Sequence, residues 1–368
     1  MRSQAIIDLK AIKKNYYIFN SLLPSDCKVM AVVKANAYGH GDTQVANALQ
    51  NIGVDDFAVS NIEEAKRLRQ FGIRGQIIVL GYTSIDKADD LLKYDITQTL
   101  ISEEYAYALA ALKKPIKCQF AIDTGMRRIG LNADNPANCE GIIRKYYSSD
   151  LLLNGLFTHL CVADTNSDDA NAFTKCQIDK FNHISSLVSD LNLPNIHYMN
   201  SAGSLWHQMG NSCFARLGII LYGLKPDICN ILPVGISPVL SWKSVVSMVK
   251  SVHPGDSIGY GRTYIVNTPM KIATVSTGYA DGYNRLLSNK GYVLINGSRA
   301  PIIGRICMDQ FMVDVSGIDN VEHGTEVVLI GKSGTELITA DDLANIIGTI
   351  GYEVVCSISE RVERVYIN

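Results

Sequence analysis

Short apolar runs alternate with longer amphipathic stretches through the first 230 residues of the chain. Eight of these runs are rich in β-branched residues and have the length of buried strands. They are 29–34, 56–60, 77–81, 96–100, 117–123, 151–159, 196–201 and 214–219. Between them, apolar positions recur at helical spacing, for example at 62–73, 102–114 and 173–193. Strands that alternate with helices form βαβ units, and these units build parallel sheets.

Eight parallel strands are the number that closes a (β/α)8 barrel. We therefore predict an α/β protein that begins with a TIM-type barrel. An open, doubly wound sheet is the structural alternative. No G-x-G-x-x-G sequence follows the first strand, which disfavours the dinucleotide-binding version of that alternative.

The pattern changes after about residue 232. Beyond it, strand-like segments follow one another with Gly, Pro or Asn between them, and only 339–349 has the pattern of a helix. We therefore predict two domains, a cofactor-binding barrel over 1–232 and a mostly β C-terminal domain over 233–368.

Composition excludes several classes of protein. The 368 residues include 34 basic and 36 acidic side chains, and this balance argues against nucleic acid or an anionic membrane as a partner. No apolar run reaches the ~18–20 residues that cross a bilayer, and the N-terminus has no signal-peptide pattern. The nine cysteines never form C-x-x-C, so we expect free thiols in a reducing cytoplasm and no metal site.

Functional side chains of a barrel lie at the carboxyl ends of its strands. Lys34 ends the first strand, where partial burial would lower the pKa of its amine and make it a nucleophile or base. His159 ends the sixth strand, and Arg128 follows the fifth in a glycine turn, where it could bind a carboxylate with two N–H groups. The alternatives are a solvated lysine, a hydrogen-bonded core histidine and a solvated arginine.

The last two strands end in Asn200 and Ser201 and in Arg216, Gly218 and Ile219. Loops at these places in barrels often bind phosphate through backbone N–H groups, and the Ser201 hydroxyl and the Gly218 and Ile219 amides suit that role. A lysine, a histidine, an arginine and a phosphate site at one barrel mouth favour pyridoxal phosphate (PLP), a cofactor that lysine holds covalently.

Motifs along nearly the whole chain resemble those of the alanine racemases, PLP enzymes that join an N-terminal barrel to a C-terminal β domain. The segment VVKANAYGHG at 32–41 resembles their cofactor-lysine signature. Further motifs follow in the order of that family: IDTGMRRIG (122–130), FTHL (157–160), NSAG (200–203), RLGIILYG (216–223), GYGRTY (259–264), GYADGY (278–283), GRICMDQFMVDV (304–315) and GYEVVC (351–356).

The resemblance implies two bases. Lys34 would form a Schiff base with PLP and then act on one face of the substrate Cα, while Tyr260 would act on the other face. Two bases on opposite faces allow racemisation without turning the substrate. Tyr260 would come from the second domain of a partner subunit, so the site would need a head-to-tail homodimer. By its own context alone, Tyr260 would be an ordinary strand residue.

The other roles are also implied by the resemblance. His159 would lie beside the cofactor ring and bond to Tyr260, and Arg216 would donate to the pyridine nitrogen. A guanidinium only donates, so that nitrogen would stay unprotonated and the cofactor would be a weaker electron sink. The remaining implied cofactor contacts are Tyr38, Asn200, Ser201, Gly218, Ile219 and Tyr352. The implied substrate contacts are Arg128, the Met308 backbone amide and Tyr279 at the entrance.

One position departs from the family pattern. Many members have a carbamylated lysine two residues before the Asp of the DTGM motif, where it orients the carboxylate-binding arginine. Here that position is Ala121. We expect a bound anion or a nearby side chain to orient Arg128 instead. Arg127, where the family often has glycine, could also adjust the pocket.

The favoured interpretation is a cytoplasmic, homodimeric, PLP-dependent alanine racemase that supplies D-alanine for peptidoglycan. The nearest alternative is the same reaction on serine, because the chain also resembles the racemase domains of vancomycin-resistance serine racemases. A non-catalytic PLP carrier lacks the second domain and would have no use for Tyr260 or Met308. A decarboxylase of similar architecture would need an acidic group where Arg216 stands.

Overall fold

The first part of the chain folds as alternating strands and helices. A computed structural model describes residues 2–207, 210–227 and 229–368. The chain begins with strand β1 (Ser3–Asp8) and helix α1 (Leu9–Asn20). The strands that follow are β2 (Lys28–Val32), β3 (Asp56–Val59), β4 (Gln76–Val79), β5 (Thr97–Leu100), β6 (Lys117–Asp123), β7 (Leu131–Asn132), β8 (Leu152–Phe157), β9 (Asn195–His197), β10 (Met199–Asn200) and β11 (Phe214–Leu217). The helical elements between them are α2 (Lys34–Tyr38), α3 (Asp42–Gln50), α4 (Ile62–Phe71), α5 (Ala88–Lys93), α6 (Glu103–Ala110), α7 (Pro136–Tyr147), α8 (Asp168–Leu187) and α9 (Ser201–Trp206).

These strands close into a ring. All neighbours are parallel in the order β10-β11-β2-β3-β4-β5-β6-β8-β9, and the two-residue β7 pairs with β6 alone. β9 pairs with β8 and β10 pairs with β11, and only Tyr198 separates these two halves of one segment. Counted in this way, eight parallel segments form the ring, and the predicted TIM-type barrel is confirmed.

Local sequence signals set the ends of the barrel elements. At the start of α4, the Asn61 side chain accepts a hydrogen bond from the backbone N–H of Glu64, a typical N-cap. The same helix ends at Gly72, whose φ of 99° is the left-handed conformation that glycine adopts most easily. In β4, Ile77, Ile78 and Val79 are all fully buried, because helices and the barrel interior cover both faces of a parallel sheet.

The second part of the chain is mostly antiparallel sheet, as predicted. Its strands are β12 (Leu240–Val252), β13 (Ser257–Ile258), β14 (Tyr264–Ile265), β15 (Met270–Val275), β16 (Tyr292–Ile295), β17 (Ser298–Ile303), β18 (Phe311–Asp314), β19 (Glu326–Ser333), β20 (Glu336–Ile338) and β21 (Glu363–Ile367). β12 pairs with both β15 and β19, so this sheet also closes on itself. From Leu240 to Val246, buried and half-buried residues alternate, as expected for a strand covered on one face.

Both ends of the chain join this second sheet. β1 lies between β12 and β21, antiparallel to the first and parallel to the second. The side chain of Trp242 on β12 is buried and donates from Nε1 to the Ser3 hydroxyl at 2.8 Å. The predicted domain boundary at 232/233 stays a prediction. β1 precedes that boundary in the sequence but joins the sheet of the second part of the chain.

The second part also holds two short helices. α10 (Ala340–Ile347) corresponds to the predicted helix, whereas α11 (Gly351–Cys356) was not expected from the pattern, and the prediction of a single helix is wrong. Gly351, Val354 and Val355 have low helix propensity, so tertiary packing decides this element. No helix in the described part of the chain is long and apolar enough to span a bilayer. All nine cysteines are free, with three of them buried.

Candidate active site

Lys34 begins a strained turn at the barrel mouth. It follows β2, and the next four residues, Ala35–Tyr38, have φ values between 51° and 54°. The left-handed conformation costs a non-glycine residue roughly 1–2 kcal/mol. Strain of this kind persists where surrounding contacts enforce it, and such places cluster at functional sites. The sequence pattern predicted a strand as far as residue 34 and gave no sign of this turn.

Glu64 is one of the contacts that hold the turn. Its buried carboxylate accepts hydrogen bonds from the backbone N–H of Ala35 and from the N–H of Ser60, both at 2.8 Å. It therefore fastens the Lys34 turn to the loop after β3. Sequence reasoning did not single out Glu64, although a carboxylate on the barrel-facing side of an amphipathic helix was a signal that could have identified it.

The Lys34 amine lies in a positive environment. Burial lowers its pKa, and the charges of Arg128 and Arg216 lower it further, while Glu64 and Cys356 oppose the shift. Among the described residues, no ion pair includes Lys34, Arg128 or Arg216. Three cations at one mouth without a paired carboxylate form a site that attracts anions.

Arg216 is buried at the centre of this site. Its Nη2 donates to the Thr158 carbonyl at 2.6 Å and lies 3.4 Å from His159 Nδ1. Its Nη1 donates to His197 Nδ1 at 2.6 Å. Burial and the charge of Arg128 lower the pKa of the guanidinium to about 9, so Arg216 remains a cation and a donor at neutral pH.

Two neutral histidines flank Arg216. Burial lowers the pKa of both His159 and His197 well below its ordinary value, and the charge of Arg216 adds to the effect. Since His197 Nδ1 accepts from the arginine, its Nε2 carries the proton and donates to Gln119 Oε1 at 2.8 Å. Sequence reasoning missed His197; the signal was a histidine in the middle of an apolar strand.

Gln177 on α8 is a second residue that was missed. Its side chain is fully buried and donates to the hydroxyl of Thr124 at 3.1 Å and to the carbonyl of His159 at 3.2 Å. It also accepts from the N–H of Cys161 at 3.1 Å. The loops after β6 and β8 are therefore held at a fixed distance, and these loops carry Arg128 and His159.

The predicted phosphate-binding residues converge beside the turn. Gly218 donates its N–H to the Ser201 hydroxyl at 3.1 Å. A Cβ at Gly218 would lie 2.5 Å from the Tyr38 hydroxyl oxygen, so only glycine fits there. The ring of Tyr352, on α11, lies 6.0 Å from the ring of Tyr38 in a T-shaped arrangement. Ile219 follows Gly218 and is buried.

Asn200 precedes Ser201, and its side chain is already hydrogen-bonded to nearby backbone groups. Its Oδ1 accepts from the N–H of Gly203 at 2.8 Å, which caps α9, and its Nδ2 donates to the Leu160 carbonyl at 2.9 Å. These bonds fix the position of the neighbouring Ser201. A direct contact of Asn200 with a cofactor stays a prediction.

Within the described part of the chain, no protein group orients the guanidinium of Arg128. Among the described residues, no side chain accepts a hydrogen bond from it, so the structure gives no support to a side chain as substitute for the carbamate. A cavity of about 20 Å³ lies beside it, lined by Ala121, Phe157 and Thr158 among others. A cavity of this size holds about one water-sized species, and the bound anion stays a prediction. Arg127 points away and pairs with Asp134.

The other three predicted site residues lie together on the second domain. Tyr260 occupies a short 3-10 turn between β13 and β14, and its side chain is 70% exposed. Met308 and Tyr279 are 53% and 42% exposed, and the N–H of the residue after Tyr279 donates to the Met308 carbonyl at 3.0 Å. No hydrogen bond or ring contact between described residues joins these three to Lys34 or His159. One chain thus presents two separate groups of site residues.

The two groups differ in the chemical groups that they supply. The barrel group supplies an amine of lowered pKa, a buried guanidinium and a neutral imidazole. The second-domain group supplies a phenol and an exposed backbone turn. No cluster of three or more potential metal ligands exists among the described residues.

Comparison with known proteins gives one consistent result. The sequence profile described as "Alanine racemase, N-terminal domain" matches residues 7–226, and the profile described as "Alanine racemase, C-terminal domain" matches residues 239–366. A protein of Halothermothrix orenii named alanine racemase is 42% identical over 371 residues, covering 99% of this chain and 96% of its own length. A Streptococcus gordonii protein of the same name is also 42% identical, covering 100% of this chain and 98% of its own.

Solved structures agree. The crystal structure of alanine racemase from E. faecalis superimposes with a TM-score of 0.94 at 34% identity and covers 100% of this chain and 98% of that one. The structure of alanine racemase from Bacillus anthracis with bound L-Ala-P has a TM-score of 0.91 at 34% identity, covering 100% of this chain and 95% of that one.

Proposed function

The chain belongs to the alanine racemase family, and from that premise we propose that it interconverts L- and D-alanine with PLP bound at the barrel mouth. The observation that carries this proposal is the set of cations around the strained Lys34 turn, which form no ion pair with any described residue. A phosphate and a substrate carboxylate are the anions that such a set would accept. We further propose a cytoplasmic location and a supply of D-alanine for peptidoglycan.

The residues present fit PLP. Lys34 supplies a partly buried amine whose lowered pKa favours the neutral, nucleophilic form. Gly218, Ser201 and Tyr38 approach one another as closely as a phosphate cradle requires. Arg216 offers a donor to the pyridine nitrogen and has no carboxylate beside it within the described residues. When bound, PLP would draw electron density from the substrate Cα and acidify its proton.

Lys34 and Tyr260 would hold the two protons that are exchanged. Each residue would stand on one face of the Cα, so a proton leaves one face while the other face receives one. Arg128 and the Met308 amide would hold the carboxylate, which fixes the Cα between the two bases.

The geometry around His159 supports a basic Tyr260. Because His159 Nδ1 faces the Arg216 guanidinium, its proton belongs on Nε2. That Nε2–H would donate to the Tyr260 oxygen and favour the phenolate, since a hydrogen bond to the charged form stabilises it. The positive charge of Arg216 acts in the same direction.

We infer that Tyr260 reaches this place from a partner subunit. Within one chain it is exposed on the second domain, together with Met308 and Tyr279. A head-to-tail homodimer would bring these side chains to the barrel mouth of the partner, and it would cover three large exposed side chains at the same time.

The cofactor lysine is tested by Lys34→Ala. This variant should lose the visible absorbance of bound PLP, while Lys28→Ala, on the strand that precedes Lys34, should keep it. Retained absorbance in Lys34→Ala would refute the assignment.

The second base is tested by Tyr260→Phe, with Tyr264→Phe in the same motif as the control. Exchange of the Cα proton with deuterated water should be blocked for one enantiomer only. Equal loss for L- and D-alanine would contradict the assignment of the two bases.

The shared site is tested by mixing the two inactive variants. In a mixed dimer of Lys34→Ala and Tyr260→Phe, one of the two sites would contain both intact bases. Random reassociation should therefore restore about a quarter of the wild-type activity. No recovery despite confirmed mixed dimers would exclude a site shared between subunits.

The preference for alanine or serine is tested by comparing kcat/KM for L-alanine and L-serine. A hydroxyl added to a small apolar pocket changes binding by only ~1–3 kcal/mol, so the ratio has to be measured. Preference for serine would replace the substrate in this proposal and leave the two bases unchanged.

A further inference from the structure

The loops that carry Tyr279 and Met308 are fastened by a group of four charged residues. We call Arg2, Asp281, Asp309 and Arg361 the clamp. Asp281 is fully buried, and Arg2 donates to both of its carboxylate oxygens, at 2.8 and 2.7 Å. Arg361 donates to the Asp309 carboxylate at 2.7 Å, and the Nε of Arg361 lies 3.7 Å from the Asp281 carboxylate.

The clamp acts directly on the backbone of the first loop. The Asp281 carboxylate accepts a hydrogen bond from the N–H of Gly278 at 2.9 Å, which closes the turn that presents Tyr279. The carbonyl of Asp281 accepts from the N–H of Ser359 at 3.0 Å, so the turn is also fixed to the segment that carries Arg361.

The second loop, which carries Met308, is hydrogen-bonded to the first loop, which carries Tyr279. The N–H of Tyr279 donates to the Cys307 carbonyl at 3.0 Å, and the next residue donates to the Met308 carbonyl at the same distance. A Cβ at Gly278 would collide with both of those carbonyl oxygens, so no other residue allows this approach. Arg2 also reaches the Asp309 carbonyl at 3.4 Å. The two loops are therefore joined as one unit.

We propose that the clamp positions Tyr279 and the Met308 amide for the substrate, so that its members are positioning residues and the first residues of the chain support the site. This inference rests on the proposed function, which gives Tyr279 and Met308 their roles. A buried carboxylate is stable when charged donors fill its hydrogen-bonding capacity. Without Arg2, the Asp281 carboxylate would turn toward water and release the Gly278 N–H.

The effect on the site follows from the tolerance of binding geometry. A contact to a substrate carboxylate is lost when its donor moves by about 0.5 Å or more. The Met308 amide lies in an exposed turn that is closed by the hydrogen bond from the Cys307 N–H to the Gln310 carbonyl at 2.9 Å, and the clamp and the two inter-loop hydrogen bonds fix this turn to the Tyr279 loop.

The test compares Arg2→Ala and Asp281→Asn with the wild-type holoenzyme in steady-state kinetics. We expect KM for alanine to rise about tenfold with kcat within about threefold, because the lost contact acts equally in the ground and transition states. Arg2→Lys keeps the charge and should recover part of the loss. The control is Arg299→Ala, which breaks an exposed ion pair with Glu336 on the same domain and should leave KM unchanged.

A second measurement does not depend on activity. Amide hydrogen exchange should become faster in peptides covering 278–283 and 305–310, and stay unchanged in 292–303, which serves as the reference. Arg2 has a partly exposed side chain, so its truncation leaves a folded protein even where Asp281→Asn does not.

The outcomes separate the two proposals. Unchanged exchange in both loops of Arg2→Ala would overturn the clamp. Faster exchange with unchanged KM would also overturn it, because the clamp would then serve stability alone. A wild-type enzyme without racemase activity would overturn the proposed function instead, and the exchange comparison would still decide whether the clamp holds the loops.

Discussion

At the scale of single residues, the site is defined by cations with which no carboxylate forms an ion pair among the described residues. Burial and the charge of Arg128 both lower the pKa of the Lys34 amine at the barrel mouth. Proteins normally pair or solvate such cations, so an unpaired set marks a place where an anion binds.

The charge of Arg128 should control how fast PLP reacts with Lys34. Arg128→Gln removes a cation that lowers the Lys34 pKa, so that pKa should rise and less neutral amine should exist at a given pH. The midpoint of the pH dependence of PLP uptake, followed by absorbance after cofactor removal, should move to higher pH. Arg127→Gln is the control, because Arg127 pairs with Asp134 and does not contribute to the shift. An unmoved midpoint in Arg128→Gln would contradict this electrostatic account.

An anion beside Arg128 should improve alanine binding. The cavity next to Ala121 holds about one water-sized species, and a small anion such as chloride there would orient the guanidinium in place of a carbamate. KM for alanine should therefore be lower in chloride than in gluconate at equal ionic strength. The same KM in both salts would exclude the anion.

At the scale of elements, the left-handed turn α2 and the loop after β11 fit together through one glycine. Gly218 approaches the Tyr38 hydroxyl so closely that a methyl group would push the ring aside. Tyr38 belongs to the strained turn, and its ring packs on Tyr222 at 5.1 Å, so it has little room to move. The proposed phosphate cradle would therefore depend on the absence of a single side-chain atom.

Gly218→Ala should weaken PLP binding by about tenfold or more, which corresponds to at least about 1.4 kcal/mol. The measurement is the dissociation constant for PLP from absorbance titration after cofactor removal. Gly141→Ala in α7 is the matched control: a Cβ there meets no atom within 4 Å, and alanine favours the helix by up to ~1 kcal/mol. Equal affinities for the two variants would show that the cradle tolerates the methyl group.

At the scale of the whole molecule, the barrel and the second sheet meet behind the active-site turn. His40 is fully buried there, and its Nδ1 donates to the carbonyls of Ala37 and Tyr38 at 3.0 and 2.9 Å. Its ring lies 4.6 Å from that of Tyr222. Burial lowers the pKa of His40 to about 4, against 6.5 in an exposed histidine.

This shift predicts a loss of stability in acid. The unfolded chain takes up the His40 proton near pH 6.5, whereas the folded protein takes it up only near pH 4, so the free energy of unfolding falls as the pH drops between these values. His40→Asn, which keeps a donor for the two carbonyls, should reduce the slope of the free energy of unfolding against pH by up to ~1.4 kcal/mol per pH unit. Urea unfolding at pH 7, 6 and 5 gives the free energy of unfolding at each pH and hence this slope. Exposed His183→Asn is the control, and an unaltered slope in His40→Asn would refute the buried, neutral state.

Most of the candidate site could be predicted from the sequence. Lys34 and His159 lie just after strands β2 and β8 of the barrel, Arg216 lies in β11, and the periodicity of apolar residues located these strands. Glu64, Gln177 and His197 could not be identified in this way. Each acts through a contact with a residue far along the chain, and such a contact leaves no periodic signal.

The sequence by itself determined the order of elements, the two kinds of sheet and the family, because hydrophobic periodicity and ordered motifs are local properties of a chain. Only the tertiary structure decided that β1 joins the second sheet, that α11 is a helix and that Lys34 begins a left-handed turn. Only the tertiary structure also showed that the predicted site residues form two groups on one chain. These features depend on packing between distant segments, and packing overrides local propensity wherever the two disagree.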